Sequence, residues 1–194
     1  MRTSHQTLLV AVLFLVMLGL VSCFPVPLGD PEKSKVQEQY VGAWRWDGSG
    51  QRHLAIIRPW DERTYHVQFI TINDQEGGRV EQAILKGWLT TVEDETFFTL
   101  QDVQALAPLP GEEAETRYLV LRLQLASDRL IATSLNPSFP PFEGIVSPEE
   151  FARLIAEHQD DRAMWAEQPI TARRASAADI TQFKETATGD AGGS

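Results

Sequence analysis

The chain has very little cysteine and few basic residues. Its 194 residues include a single cysteine, Cys23, so no intrachain disulfide can stabilise the fold. Lys and Arg together number 17 against 27 Asp and Glu, which gives a formal net charge of −10 at pH 7. An acidic surface of this kind disfavours binding to nucleic acid and to anionic lipid head groups.

Long hydrophobic runs are also missing. The longest apolar stretch without a charge, residues 8–20, is thirteen residues long, whereas a membrane-spanning helix needs about 20. The stretch follows the positively charged Arg2 and has the length of the apolar part of a secretory leader. We therefore predict that residues 1–22 form a signal peptide.

Recognisable catalytic motifs are absent from the sequence. It contains no Gly-x-Ser-x-Gly and no Ser-x-x-Lys, and beyond the leader His53, His66 and His158 are isolated from one another. A zinc site built from His53 and His66 lacks the close ligand spacing of known zinc motifs. We expect a protein that is not an enzyme, with no metal and no cofactor.

The most specific motif that is present ends at the only cysteine. Leu20-Val21-Ser22-Cys23 places an aliphatic residue, a variable residue and a small residue before the cysteine. This pattern resembles the lipobox of bacterial lipoproteins. The resemblance implies that Cys23 becomes a lipid-bearing N-terminus that holds the protein on a membrane of the bacterial cell envelope. An ordinary cleaved signal and an uncleaved anchor are the alternatives.

The residues that follow Cys23 bear on the destination and on the attachment. In some bacterial lineages, an Asp directly after the lipidated cysteine retains a lipoprotein at the inner membrane. This chain has Phe24 at that position, which resembles an outer-membrane sorting signal and implies a domain that faces the periplasm. Pro25, Pro27 and Pro31 favour an extended backbone. We predict that residues 23–39 are a lipidated N-terminus and a tether.

From Tyr40 onward the dominant hydrophobic period is two, which is typical of β-strands. In residues 116–126 the row Leu119, Leu121, Leu123 and Leu125 faces one side. Short loops with turn residues separate the predicted strands, which are residues 41–46, 52–58, 64–72, 79–91, 95–103, 116–126 and 129–135. The sequence therefore predicts a mainly β fold, an antiparallel meander forming a seven- or eight-stranded barrel or half-barrel.

The period changes near the C-terminus. Ser147-Pro148-Glu149-Glu150 is a capping box with proline at the first helical position. It predicts one helix over residues 147–160 that packs on the sheet or closes one end of the barrel. Residues 169–176 are a candidate short final strand, which bounds the domain at 40–176. We predict that residues 177–194 are a partly disordered tail.

A second resemblance lies at the start of the barrel. Tyr40-Val41-Gly42-Ala43-Trp44 is similar to the Tyr-x-Gly-x-Trp that opens lipocalins, including membrane-anchored bacterial ones. The resemblance implies that Gly42 allows close backbone approach and that Trp44 closes the floor of the barrel. It also implies that an arginine of the last strand, Arg173 or Arg174, covers the tryptophan. Lipocalins have eight strands, and their other motifs are not recognisable in this chain.

Aromatic residues supply the candidate binding site. Trp44, Trp46, Trp60 and Trp88 are candidates to line a ligand cavity, and ordinary core packing is the alternative. The chain is also similar as a whole to small β-rich bacterial lipoproteins, a likeness that implies no activity. We predict a binding or interaction module that takes a small apolar ligand or an envelope protein. The alternatives are a structural envelope-assembly component that docks a protein partner and a lipocalin-like carrier of an apolar ligand.

Overall fold

The computed structural model describes residues 24–103 and 117–189, so the predicted leader and Cys23 lie outside the described residues. The helices are α1, Pro148–His158, and α2, Ala177–Gly189. The strands are β1 Gly42–Gly48, β2 Gln51–Pro59, β3 Tyr65–Asn73, β4 Arg79–Val92, β5 Glu95–Asp102, β6 Tyr118–Ala126, β7 Arg129–Ser134 and β8 Ile170–Arg174.

The strands form one closed antiparallel barrel in chain order. Each strand pairs with the next, and β8 pairs back with β1, where Trp44 lies opposite Arg174. The predicted mainly β meander is confirmed, and β8 is the eighth strand that makes the barrel complete. Closure leaves no exposed sheet edge, which removes the aggregation hazard of an open sheet.

Because the strands alternate in direction, the barrel has two distinct ends. We call the end with the start of β1 and the β2–β3, β4–β5 and β6–β7 loops the floor. The opposite end holds the β1–β2 hairpin and the starts of β4, β6 and β8, and we call it the mouth. The period of two sends alternate side chains to the interior, where Trp44, Tyr65, Val67, Phe98 and Leu121 are among the buried residues.

Helix α1 packs on the outside of the barrel and does not close either end. Ser147 Oγ accepts a hydrogen bond from the Glu150 N–H at 3.1 Å, as the capping box predicts. The buried face of the helix, Phe151 and Ile155, joins the outward side chains Phe97 and Val120 in a cluster separate from the interior. Both faces of β5 and β6 are therefore covered, and of the two predicted placements for this helix only packing on the sheet is observed.

The segment before β1 is docked on the barrel wall, which corrects the prediction of a tether for residues 24–39. Phe24 and Leu28 are 3% and 0% exposed. The Leu28 carbonyl accepts hydrogen bonds from Trp88 Nε1 at 3.0 Å, Thr99 Oγ1 at 2.9 Å and Thr90 Oγ1 at 3.2 Å. The prolines do extend the chain, but the apolar side chains between them bury against the sheet.

The C-terminal region contains a second helix, which corrects the prediction of a partly disordered tail for residues 177–189. Ser176 Oγ accepts from the Asp179 N–H at 3.2 Å, and Asp179 Oδ2 accepts from the Ser176 N–H at 2.8 Å. This reciprocal cap starts α2, and Phe183, 0% exposed, packs on the outward Leu54 and Ile72. The polar composition of residues 177–189 gives no sign of a helix, and the single aromatic residue Phe183 packs it against the barrel wall. No helix in the described part of the chain is long and apolar enough to cross a membrane.

Candidate functional site at the barrel mouth

The floor of the barrel is closed by Trp44. Its side chain is 1% exposed, and its indole N–H donates to the Tyr40 carbonyl at 2.9 Å. The Arg174 guanidinium lies 4.4 Å from the centre of the Trp44 ring. Of the two arginines that the sequence offered, Arg174 therefore covers the tryptophan, in a cation–π contact.

Gly42 makes room for this arginine. Its φ of +133° is unfavourable for other residues, and a Cβ there would lie 2.6 Å from Arg174 Nη1. The guanidinium donates past Gly42 to the carbonyls of Val41 and Gln39, at 2.8 Å each. The floor is thus packed and hydrogen-bonded.

Arg173 points outward and holds α2 against the barrel. Its Nη1 donates to Asp179 Oδ2 at 2.9 Å, and Arg45 donates to Oδ1 of the same carboxylate. The hydrogen bond from Arg173, followed by those from Ser176, keeps the pKa of Asp179 well below its usual value. Arg173 is therefore a structural residue of the outer wall.

The interior above the floor is nearly filled. A cavity of about 50 Å³ remains, and every residue that lines it is apolar. Apolar cavities of this size stay dry and are much smaller than typical ligand pockets of roughly 300–1,000 Å³. A drug-sized ligand enclosed wholly within the barrel does not fit the structure as it stands.

At the mouth the inward-facing side chains are only partly buried. They come from five different strands, and the alternation of inward and outward positions places all of them toward the barrel axis. We call this set the mouth ring; its members are Trp46, Phe69, Leu85, Leu119 and Ile170. Three of its members, Trp46, Phe69 and Ile170, also line the residual cavity, so among the described residues the ring forms a partly exposed apolar surface next to it.

Trp46 and His53 organise the polar side of the mouth ring. Their rings stack with centroids 4.9 Å apart and planes inclined by 11°, and Phe69 meets Trp46 edge-on at 6.0 Å. His53 Nδ1 lies 3.1 Å from Thr71 Oγ1. Burial lowers the pKa of His53, so its imidazole is neutral at pH 7.

An open pocket of about 410 Å³ adjoins the mouth ring. It lies between the β1–β2 hairpin and the start of β8 and shares Trp46 and Ile170 with the interior cavity. Polar side chains, among them Asp47, Gln51 and His53, make up most of its lining, and Trp46 and Ile170 supply its apolar edge.

The four predicted tryptophans do not line one cavity. Trp44 and Trp46 face the interior, but Trp88 faces outward and is buried beneath Leu28. Trp60 follows β2 at the floor end, 48% exposed, and packs on His66 with ring centres 5.6 Å apart. Trp60 and Trp88 lie outside the barrel interior that Trp44 and Trp46 line, because of strand parity and the docked N-terminal segment.

The two strand histidines lie on opposite sides of the barrel wall. His53 faces the interior beside Trp46, whereas His66 faces outward beside Trp60. In residues 24–103 and 117–189, no group of three or more His, Cys, Asp and Glu side chains is placed to hold a metal ion.

Comparison with known proteins adds no relative: no family model, no curated protein and no solved structure matches this chain. Sequence reasoning missed Phe69, Leu85, Leu119 and Ile170 as site residues. Their parity assigns them to the interior, but only the register shows that they lie at the mouth.

Proposed function

We propose that this chain is a lipid-anchored lipoprotein of the bacterial cell envelope whose barrel is a non-catalytic binding module. The mouth ring accepts the apolar part of a small molecule. The observation that carries the binding role is the half-buried apolar ring above a dry cavity, at one end of an otherwise well-packed barrel.

The anchoring role is supported by the position of Cys23. The residues Leu20-Val21-Ser22-Cys23 match the lipobox pattern, and Cys23 is the only cysteine of the chain. Two acyl chains or more give stable membrane attachment, whereas a single chain gives only marginal attachment. A diacylglyceryl group and an N-acyl chain on Cys23 would meet this requirement without any basic surface on the domain.

The shape of the mouth limits the ligand. The open pocket of about 410 Å³ is lined mainly by polar residues and suits a small group of mixed polarity beside Trp46 and Ile170. The interior cavity of about 50 Å³ admits little more than an apolar tip. His53 and Thr71 offer hydrogen-bonding atoms at the edge, so a ligand with one polar substituent suits the site. We propose such a ligand rather than a long chain enclosed in the barrel.

Lipid labelling tests the anchor. Cells that express the full chain are fed an alkyne fatty acid, and the mature N-terminus is analysed by mass spectrometry. We expect the label and the added lipid mass on Cys23, and the Cys23→Ser variant to lose both. Equal labelling of the two proteins would contradict the lipoprotein assignment.

Titration with N-phenyl-1-naphthylamine, a neutral apolar fluorophore, tests the mouth ring. We expect saturable fluorescence enhancement that Trp46→Ala weakens at least tenfold in affinity, a loss of about 1.4 kcal/mol. The matched control is Trp60→Ala, which removes an exposed tryptophan at the floor end and should leave binding unchanged. Equal effects of the two substitutions would remove the mouth ring as the binding site.

A second candidate function is the docking of an envelope protein. Trp60 is 48% exposed, and Arg58, His66 and Lys86 stand side by side across β2, β3 and β4 next to it. Aromatic residues and arginine are enriched in protein interfaces. Cross-linking in cells distinguishes this role, because a Trp60→Ala substitution would then abolish a reproducible cross-linked partner while leaving fluorophore binding intact.

A further inference from the structure

The chain that leads toward the membrane leaves the barrel at a fixed point. The Phe24 N–H donates to the Tyr118 carbonyl at 2.7 Å, and the Tyr118 N–H donates back to the Phe24 carbonyl at 2.9 Å. Phe24 is 3% exposed, with its ring 4.7 Å from that of Phe151 and 5.5 Å from that of Phe142. Phe24 therefore behaves as part of the folded domain.

Because Phe24 is part of the folded domain, no residue separates Cys23 from that domain. Neighbouring Cα atoms are about 3.8 Å apart, so the residue predicted to carry the lipid begins within one peptide unit of the barrel wall. A lipid on Cys23 would then constrain the orientation of the whole domain.

The fixed point belongs to the mouth end of the barrel. Tyr118 is the first residue of β6, and β6 starts at the end that also holds the β1–β2 hairpin. The floor, with Trp44 and the β6–β7 hairpin, lies at the other end of the strands. The membrane-directed segment and the mouth ring are thus on the same end of the molecule.

We infer that the mouth end of the barrel rests on the bilayer that holds the N-terminus, and that the mouth ring contacts the acyl chains of its lipids at the bilayer surface without enclosing them. The inference rests on the proposed membrane attachment and names the partner of the proposed binding site. It explains why apolar ring members such as Trp46 and Ile170 are left partly exposed at this end, because a lipid surface would cover them.

The charges at the mouth end are compatible with a lipid surface in spite of the acidic composition. Arg52 pairs with Asp74 at 2.8 Å, and Arg79 pairs with Glu76 at 3.2 Å and with Glu81 at 3.1 Å. Two arginines stand beside these three carboxylates, and Asp47 at the same end pairs with Arg45 at 3.2 Å. The mouth end therefore keeps a small excess of negative charge, which an anionic surface would repel. A zwitterionic bilayer is the surface that this arrangement fits best.

Two serines provide a matched pair of probes for orientation. Ser49 lies in the β1–β2 hairpin at the mouth, and Ser127 lies in the β6–β7 hairpin at the floor. Both are exposed and both have positive φ, 54° and 58°. Each is replaced in the full chain as Ser49→Cys or Ser127→Cys, labelled with bimane and purified in its membrane-bound form.

The labelled proteins are reconstituted into phosphatidylcholine vesicles with and without brominated acyl chains. We expect brominated lipid to quench the bimane at position 49 strongly and the bimane at position 127 little. Equal quenching, or stronger quenching at position 127, overturns the inference while the anchoring stands. A second readout needs no cysteine: the Trp46→Phe variant should lose most of the lipid-dependent quenching of tryptophan fluorescence, and Trp60→Phe should lose none.

The unsubstituted protein separates this inference from the proposed anchoring. A lipid thioether on Cys23 blocks its thiol, so the unsubstituted protein should take up no bimane and should remain in the membrane fraction. A protein that takes up label and fractionates away from membranes overturns the anchoring and the orientation together.

Discussion

The two ends of the barrel are formed by the same strands but differ in how completely their tryptophan side chains are buried and hydrogen-bonded. At the floor, Trp44 is fully buried, its N–H is paired with Tyr40, and Arg174 covers its ring and donates to two carbonyls. At the mouth, Trp46 is only partly buried and stacks on a histidine above an apolar cavity. These two tryptophans stand two residues apart on β1.

The difference shows how one alternating pattern can supply both stability and a binding surface. Burying a large aromatic side chain completely stabilises the fold by several kcal/mol, whereas half-buried apolar side chains keep surface that a ligand can still cover. We therefore expect substitutions at the floor to change the free energy of unfolding and substitutions at the mouth to change binding.

The largest expected effect is that of Trp44→Ala at the floor. Removing a fully buried indole leaves a cavity and an uncovered Arg174, so we expect a loss of about 3–5 kcal/mol in the free energy of unfolding, measured in urea. Trp60→Ala, at an exposed position, is the control and should change stability by no more than about 0.5 kcal/mol. Similar losses for both would break the comparison between the two ends.

Gly42→Ala should give the next largest loss of stability. The substitution places a Cβ against the Arg174 guanidinium and forces φ +133° on an alanine, which we expect to cost about 1–3 kcal/mol. Gly48→Ala is the matched control, because Gly48 ends the same strand and no atom of the described residues lies within 4 Å of its added Cβ. If the Gly48 variant is destabilised as much, the close approach of Arg174 is not what requires glycine.

Asp179→Asn probes the outer wall rather than either end. The substitution removes the charge that Arg45 and Arg173 share, so we expect a loss of about 2 kcal/mol and earlier proteolysis within α2. The lowered pKa of Asp179 also means that the carboxylate contributes stability above pH 3.8 that is lost as the pH falls below it. The acid-induced loss should shrink in Asp179→Asn, while Trp60→Ala, which keeps the Asp179 carboxylate, should show the same acid-induced loss as the unsubstituted protein.

Trp46→Ala should have a smaller effect on stability and a large one on binding. The side chain is already part-exposed, so we expect a loss of about 1 kcal/mol in stability. The same variant should lose affinity for the apolar fluorophore, whereas Gly42→Ala should retain it under conditions where that protein is folded. A Trp46 variant that binds normally would contradict the assignment of the mouth.

The smallest expected effect is a pH dependence at the mouth. Because burial lowers the pKa of His53, the unfolded chain binds more protons than the folded one just below pH 6.5, so stability should fall as the pH drops through that range. His53→Gln should flatten this part of the stability profile between pH 7.5 and 5.5. An unchanged profile would show that His53 is well solvated.

Much of the fold could be predicted from the sequence because the hydrophobic period is clean. The alternation through Leu119, Leu121 and Leu123, the capping box at Ser147 and the turn residues between strands are local signals. Closure of the barrel was not determined locally, since it depends on the pairing of β8 with β1 across most of the chain length. The sequence indicated a short strand at 169–176 without showing which strand it joins.

The site was harder to predict than the fold. The sequence alone does not distinguish among the four tryptophans. Strand parity and register place Trp44 at the floor and Trp46 at the mouth, whereas Trp60 lies in a surface loop and Trp88 on the outer wall. The docked segment was missed for a related reason. Its prolines resemble a linker, and only tertiary contacts show that Phe24 and Leu28 are buried.

Methyl NMR on the folded protein tests the central claim most directly. With leucine and isoleucine methyl groups labelled, N-phenyl-1-naphthylamine is added and the resonances are followed. We predict that Leu85, Leu119 and Ile170 at the mouth shift together and saturate, while Leu28, Leu54 and Ile155 on the outer wall do not move. Shifts confined to the outer-wall residues, or no shift at any of the six, would contradict a binding site at the mouth.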